Sequence, residues 1–158
     1  MPFALNTGIT PTAAIEKLEK NDPTFTECSL AKNTLMQMKG MEYLPKLAAA
    51  LKKNTVCKEL SLADCNIGDQ MCSELAAALA VNQTLVTLSL EDNKVGNEGA
   101  TQFAKALASN RSLLQLNMMG QKGQRFGDAT LHAFTDMFDT NVTLLKIIWR
   151  LESRQSFR

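Results

Sequence analysis

Apolar residues recur along this chain in two alternating rhythms. Asn54, Asn82, Asn110 and Asn141 follow one another at steps of 28, 28 and 31 residues. Three, six and eight positions after each come Cys57, Leu60, Leu62; Leu85, Leu88, Leu90; Leu113, Leu116, Met118; and Leu144, Ile147, Trp149. The last two of each set are two residues apart, the period of a strand that buries one face. Ten, seven and three positions before the same asparagines stand Leu44, Leu47, Leu51; Cys72, Leu75, Leu79; Ala100, Phe103, Leu107; and Leu131, Phe134, Phe138. Steps of three and four trace one apolar stripe of a helix. An earlier copy begins at Asn21, carries an extra residue at Pro23 and supplies Phe25, Cys28 and Leu30. Each unit thus predicts a short strand, a turn and a helix of about three turns. Gly40, Gly68, Gly96 and Gly127 each lie 14 residues before an asparagine, where their free φ is expected to serve a sharp strand-to-helix turn.

Self-similarity at this period is the signature of a solenoid. In the third copy, Leu85, Leu88, Leu90, Asn93 and Val95 spell LxxLxLxxNxL, the leucine-rich repeat. The predicted fold is α/β: a right-handed leucine-rich-repeat solenoid of about five strand-helix repeats, with a concave parallel sheet and helices on the convex side. Glu27, Glu59, Thr87, Gln115 and Lys146 form one row across the concave face, and Ser29, Ser61, Ser89, Asn117 and Ile148 form a second. Asn33, Cys65, Asn93 and Gln121 are expected to form a ladder that satisfies backbone groups where each coil leaves its strand. A helix over residues 11–20, with Thr10 as N-cap and Pro11 in its first turn, covers the first repeat. Residues 1–9 are expected to be disordered, 10–152 to form the repeat domain and 153–158 a tail.

Composition narrows the partners. Lys and Arg total 17 against 16 Asp and Glu, so no strong field selects nucleic acid or an anionic membrane, and another protein becomes the expected partner. No apolar run approaches the roughly 20 residues needed to cross a bilayer. The start Met1-Pro2-Phe3-Ala4 lacks the features of a signal peptide, and the chain reads as cytoplasmic. Cys28, Cys57, Cys65 and Cys72 form no CxxC pair; they fall on apolar or ladder positions and read as buried free thiols rather than zinc ligands. The single histidine, His132, sits beside Leu131 at a position equivalent to Ser73 and Thr101, and reads as solvent-facing. No Gly-rich phosphate motif is present. No residue is assigned a catalytic, cofactor-binding or metal-binding role, and the chain reads as a non-enzyme. Met118 occupies a core position, whereas Met36 and Met119 read equally well as exposed or as loop packing.

Repeats of this length with an Asn-x-x-Leu corner resemble the ribonuclease-inhibitor class of leucine-rich repeats, which includes many adaptors and the Ran GTPase-activating proteins. Leu18-Glu19-Lys20-Asn21-Asp22-Pro23, Leu47-Ala48-Ala49-Ala50-Leu51-Lys52-Lys53-Asn54-Thr55 and the extended loop Gly120-Gln121-Lys122-Gly123-Gln124-Arg125-Phe126-Gly127 carry a narrower resemblance. They resemble the C-terminal domain of tropomodulins and leiomodins, over roughly residues 14–155. Tropomodulins add a flexible half that binds tropomyosin and actin, and a C-terminal amphipathic helix; these 158 residues show neither, and the tropomyosin-binding segment is expected to be absent.

The resemblance implies a non-catalytic, cytoskeletal module that binds actin at the filament pointed end through its strand-to-helix loops. On this sequence those loops offer Asp64, Asn66, Asp92, Lys94, Asn97, Lys122, Gln124 and Arg125. A cytosolic adaptor binding a non-actin protein on its concave face is the alternative, and a Ran-type GTPase activator ranks third because that family's array is longer. The last strand, residues 144–150, is expected to leave an open edge covered by the tail through Phe157, by a second copy or by the partner.

Overall fold

The computed structural model describes residues 8–151. Five three-residue strands alternate with five helices: α1 (Pro11–Glu19), β1 (Glu27–Ser29), α2 (Thr34–Lys53), β2 (Glu59–Ser61), α3 (Asp69–Val81), β3 (Thr87–Ser89), α4 (Asn97–Leu107), β4 (Gln115–Asn117), α5 (Asp128–Phe138) and β5 (Lys146–Ile148). The strands form one parallel sheet in sequence order. Cys28, Leu60, Leu88, Leu116 and Ile147 lie in register across it, as the 28- and 31-residue steps require. The result is a right-handed solenoid whose sheet lines one side and whose helices line the other. Within the described residues no helix is long and apolar enough to cross a membrane.

The corner asparagines hold the coils together. Asn82 Oδ1 accepts from the N–H groups of Thr84 and Leu85 at 2.9 and 2.8 Å, and its Nδ2 donates to the carbonyls of Leu51 (2.7 Å) and Asn54 (3.3 Å) one coil back. Asn110 and Asn141 repeat the arrangement; among the described residues Asn54 differs in donating to one carbonyl, that of Leu18, where the others donate to two. All four are buried, so each amide satisfies backbone groups that water cannot reach. Asn21, displaced by the additional Pro23, instead accepts from Thr55 N–H and adopts a left-handed φ of 49°.

The strand-exit ladder has three rungs. Cys65 Sγ donates to the Leu30 carbonyl, Asn93 Nδ2 to that of Leu62 and Gln121 Nε2 to that of Leu90. Asn33 departs from the expected ladder because no strand precedes its coil. Its Oδ1 caps α2 by accepting from Met36 N–H at 3.0 Å, and its Nδ2 reaches the Ile9 carbonyl at 3.5 Å. Thr10 caps α1 through Ala13 N–H as expected.

Three further details differ from the sequence reading. Gly68, Gly96 and Gly127 are N-caps with φ of −106°, −101° and −120°, so no unusual φ is needed there. At Gly96 the constraint is space, since a Cβ would lie 2.7 Å from Gln124 Oε1 and 3.0 Å from Asp69 Oδ2. Second, α2 runs for 20 residues and breaks at Lys39 (φ −128°, ψ 30°), with Met36 buried on its first turn. Third, α5 buries Thr130, Phe134 and Met137 while Leu131 and Phe138 are exposed. The side of α5 that packs on α4 is covered; among the described residues no later helix covers the other side.

The expected tail, residues 153–158, lies outside the described residues, as do residues 1–7. Ile147 in β5 and Trp149 just beyond it pack against the core, and Trp149 meets Phe134 edge-on at 4.8 Å between centroids.

Candidate functional site

The turns that leave the strands share an uncommon backbone. Lys32, Asp64 and Asp92 adopt φ of 58°, 49° and 56°, and Gly120 occupies the corresponding place in the fourth coil at 75°. Asp tolerates this left-handed region better than most residues, and Gly adopts it freely. The fold thus sets Asp64 and Asp92 on successive coils at equivalent points. Asn66, with φ 58°, follows Asp64 and donates from Nδ2 to the Gln37 carbonyl at 3.3 Å.

The extended loop lies over these turns. Lys122 N–H donates to the Asn93 carbonyl at 2.7 Å, which directs its side chain back across the third coil. Its Nζ then reaches Asp64 Oδ1, 58 residues earlier, at 2.6 Å. The hydrogen bond to Asp64 is the main reason that the ammonium pKa lies above its ordinary value, with a smaller contribution from the charge of Asp92. The pair is half-exposed, so water and salt screen it and it remains open to exchange with a partner's charges. Asp64, Asn66, Asp92, Lys94 and Lys122, together with Gln37, line a shallow cavity of about 340 Å³.

The remainder of the loop forms a second concavity. Met118, Met119, Gly120, Gln121, Gly123, Gln124, Arg125, Phe126 and Arg150 enclose about 510 Å³, with buried Phe126 as part of the floor. Gly123 holds the loop in a left-handed turn at φ 68°. Asn97 serves this loop structurally: its Nδ2 donates to the Arg125 carbonyl at 3.0 Å and its Oδ1 accepts from Gly127 N–H at 3.0 Å and from the Thr130 hydroxyl at 2.5 Å. Asp69 does the same one coil earlier, accepting from Gly96 N–H at 2.7 Å and Gly99 N–H at 3.1 Å. The first residue of each of these helices therefore accepts from the N–H of the glycine that precedes the next helix.

All eight residues named from sequence lie on this one edge. Five line the smaller cavity, Gln124 and Arg125 line the larger, and Asn97 anchors the loop between the coils. Sequence reasoning missed Gln37, which the kinked start of α2 brings to Asp64, where its Nε2 donates to the carbonyl at 2.8 Å. Arg150 also joins this edge: it occupies in the fifth coil the place of Met119 in the fourth, one residue after the inward-facing strand position.

The four thiols have no part in this edge. Burial pushes Cys28 and Cys72 up to about 12 and Cys57 and Cys65 to about 11. Among the described residues no group of three His, Cys, Asp or Glu is placed to hold a metal ion.

The profile of the TMOD/LMOD leucine-rich domain family matches residues 9–156. Among solved structures, the chain is similar to "Leiomodin-1 Actin-Binding Site 2 (ABS2)", with TM-score 0.80 and 28% identity over 88% of this chain and 78% of that one. It is also similar in fold to the tropomodulin C-terminal domain of Caenorhabditis elegans, with TM-score 0.81 and 18% identity over 93% and 86% of the two chains. A sequence comparison with curated proteins gives no match. The repeat register, the loop after the fourth strand and the family profile agree: this chain belongs to the tropomodulin/leiomodin leucine-rich domain family.

Proposed function

We propose that this domain is a non-catalytic, cytoskeletal, cytoplasmic module that binds actin at the filament pointed end through its strand-to-helix edge. The observation that carries the reading is the extended loop, which sets Lys122 beside Asp64 and Asp92 and presents Arg125 in the neighbouring concavity of the same edge. The solved leiomodin-1 structure bears the name of an actin-binding site, which supports actin as the partner. An edge of mixed charge on fixed backbone favours a specific polar interface and disfavours one driven by a large apolar area. Asp64, Asn66, Asp92, Lys94, Lys122, Gln124 and Arg125 are proposed contacts. Asn97 is proposed to act through the loop it anchors.

Actin-filament co-sedimentation combined with a pointed-end elongation assay tests the reading. Saturable binding with slowed pointed-end growth is expected. Failure to bind filaments or monomers would contradict it and would favour the adaptor reading, in which another protein occupies the concave face. GTP hydrolysis by Ran should be unaffected by the domain.

A further inference from the structure

Lys122, the first cation of the extended loop, already has a counter-ion inside the domain. Three other ion pairs join residues four or five apart, whereas Lys122 and Asp64 are 58 residues apart. The lysine side chain crosses the third coil to reach the turn of the second, and the contact is short, at 2.6 Å. Four charged side chains line the shallow cavity around it: Asp64, Asp92, Lys94 and Lys122. Asp92 attracts the ammonium from farther off, without an ion pair to it among the described residues. Lys94 is exposed and has no ion-pair partner among the described residues, so of the two lysines here only Lys122 is engaged.

The pair is not what places the loop. Gln121 Nε2 donates to the carbonyls of Leu90, Met118 and Met119 at 2.9, 3.1 and 3.3 Å, and its Oε1 accepts from Val95 N–H at 2.9 Å. Lys122 N–H donates to the Asn93 carbonyl at 2.7 Å, and Asn97 holds the far end at Arg125 and Gly127. With the backbone fixed on both sides of Lys122, removing the Asp64 carboxylate frees the ammonium and leaves the loop in place. Asp64 has a left-handed φ of 49°, which Asn tolerates as well as Asp does. Asp64→Asn therefore removes the charge and keeps the turn.

We propose that Asp64 is a positioning residue that masks Lys122 in the free domain, so that a carboxylate of the partner has to displace it. The inference rests on the reading that Lys122 meets actin. Asp64 lies in that interface, but its main effect there is exerted through Lys122. A partner that needs the ammonium unpaired binds more weakly by the fraction of time that it is unpaired. An exposed pair of this kind favours its closed form by a factor of about two to five, which sets the size of the effect.

Limited acetylation of the domain alone with N-hydroxysuccinimidyl acetate at pH 8 reads the ammonium directly, with Lys105, exposed on α4, as the internal reference in peptide mass spectrometry. Only the neutral amine reacts, so a counter-ion that favours the charged form slows the reaction. Lys122 is expected to react about two- to fivefold faster in Asp64→Asn than in wild type, with amide hydrogen exchange of residues 121–127 unchanged. In actin-filament co-sedimentation at low salt, Asp64→Asn is expected to bind about two- to fivefold more tightly than wild type. In a Lys122→Ala background the same change should have no effect, which separates action through Lys122 from the loss of one negative charge. Unchanged acetylation, faster exchange in the loop, weaker binding by Asp64→Asn, or an equal gain in the Lys122→Ala background would each overturn the proposal. If wild type does not bind filaments, the actin reading fails, and the acetylation rates alone decide whether Asp64 masks Lys122.

Discussion

Asn93→Ala removes a single buried amide and should be among the most destabilising small changes in the domain. Asn93 is fully buried, and its Oδ1 accepts from the N–H groups of Cys65 and Ile67 at 2.9 and 3.0 Å. Its Nδ2 donates to the carbonyls of Leu62 and Leu90 at 2.8 and 2.9 Å. Leu90 keeps a second donor in Gln121 Nε2, but among the described residues Cys65 N–H, Ile67 N–H and the Leu62 carbonyl have no other hydrogen bond. Each buried polar group left unpaired costs about 1–3 kcal/mol, so three sum to roughly 3–9 kcal/mol. Water entering the polar hole recovers part of this, which places the expected loss at about 3–5 kcal/mol. Urea unfolding followed by circular dichroism measures it. Ser73→Ala, which removes one exposed hydroxyl that donates to the Gln70 carbonyl, is the control and should lie within about 0.5 kcal/mol of wild type. A loss below about 1 kcal/mol for Asn93→Ala would refute the reasoning that the amide satisfies otherwise orphaned backbone.

Leu62→Ala and Phe103→Ala empty fully buried positions and should each cost about 2–5 kcal/mol by the same assay, whereas Phe138→Ala, at 45% exposure, should cost well under half as much. Gly120→Ala should cost more than Gly123→Ala, because both require a left-handed φ, worth about 1–2 kcal/mol, but only at Gly120 does the new methyl run into Asp92 Oδ1. Iodoacetamide at pH 8 should leave all four cysteines unmodified in the folded domain and label all four in denaturant. The raised thiol values also fix a sign: above the ordinary value of 9.0 the unfolded chain loses protons that the native state keeps, so stability should fall as pH rises from about 9 towards 11–12. Asp22, held at about 2 chiefly by hydrogen bonds from the Thr24 hydroxyl and N–H, gives the opposite case: its contribution is present above 3.8 and should be lost as pH falls through about 2, visible as a shift in the acid-unfolding midpoint of Asp22→Asn.

The solenoid was legible because its information is periodic: Leu60, Leu88 and Leu116 recur at one spacing and pair at one register. The corner asparagines were equally visible as a repeat, yet their role was not, since it depends on carbonyls one coil back that only the stacking brings within reach. Periodicity also misled at the last coil. Leu131 and Phe138 carry the stripe expected of an internal helix, but their burial depends on a neighbour on the far side of α5, and none is present among the described residues. At the candidate site, sequence located the edge because its loops follow the strands by rule. It did not reveal the Lys122–Asp64 pair, which joins two aperiodic details 58 residues apart, or that Asn97, though exposed, holds the loop through its amide. Charge and loop position mark exposure; which side chains are occupied by neighbours follows from three-dimensional packing.

Binding of actin by the strand-to-helix edge, and by its extended loop above all, is measured by actin-filament co-sedimentation of wild type beside the Lys122→Ala, Arg125→Ala double variant, with matched thermal unfolding curves for the two proteins. Wild type is expected to bind and the variant, still folded, to bind at least tenfold more weakly, the loss of about 1.4 kcal/mol that two central cationic contacts readily supply. A folded variant that binds actin as tightly as wild type would contradict it.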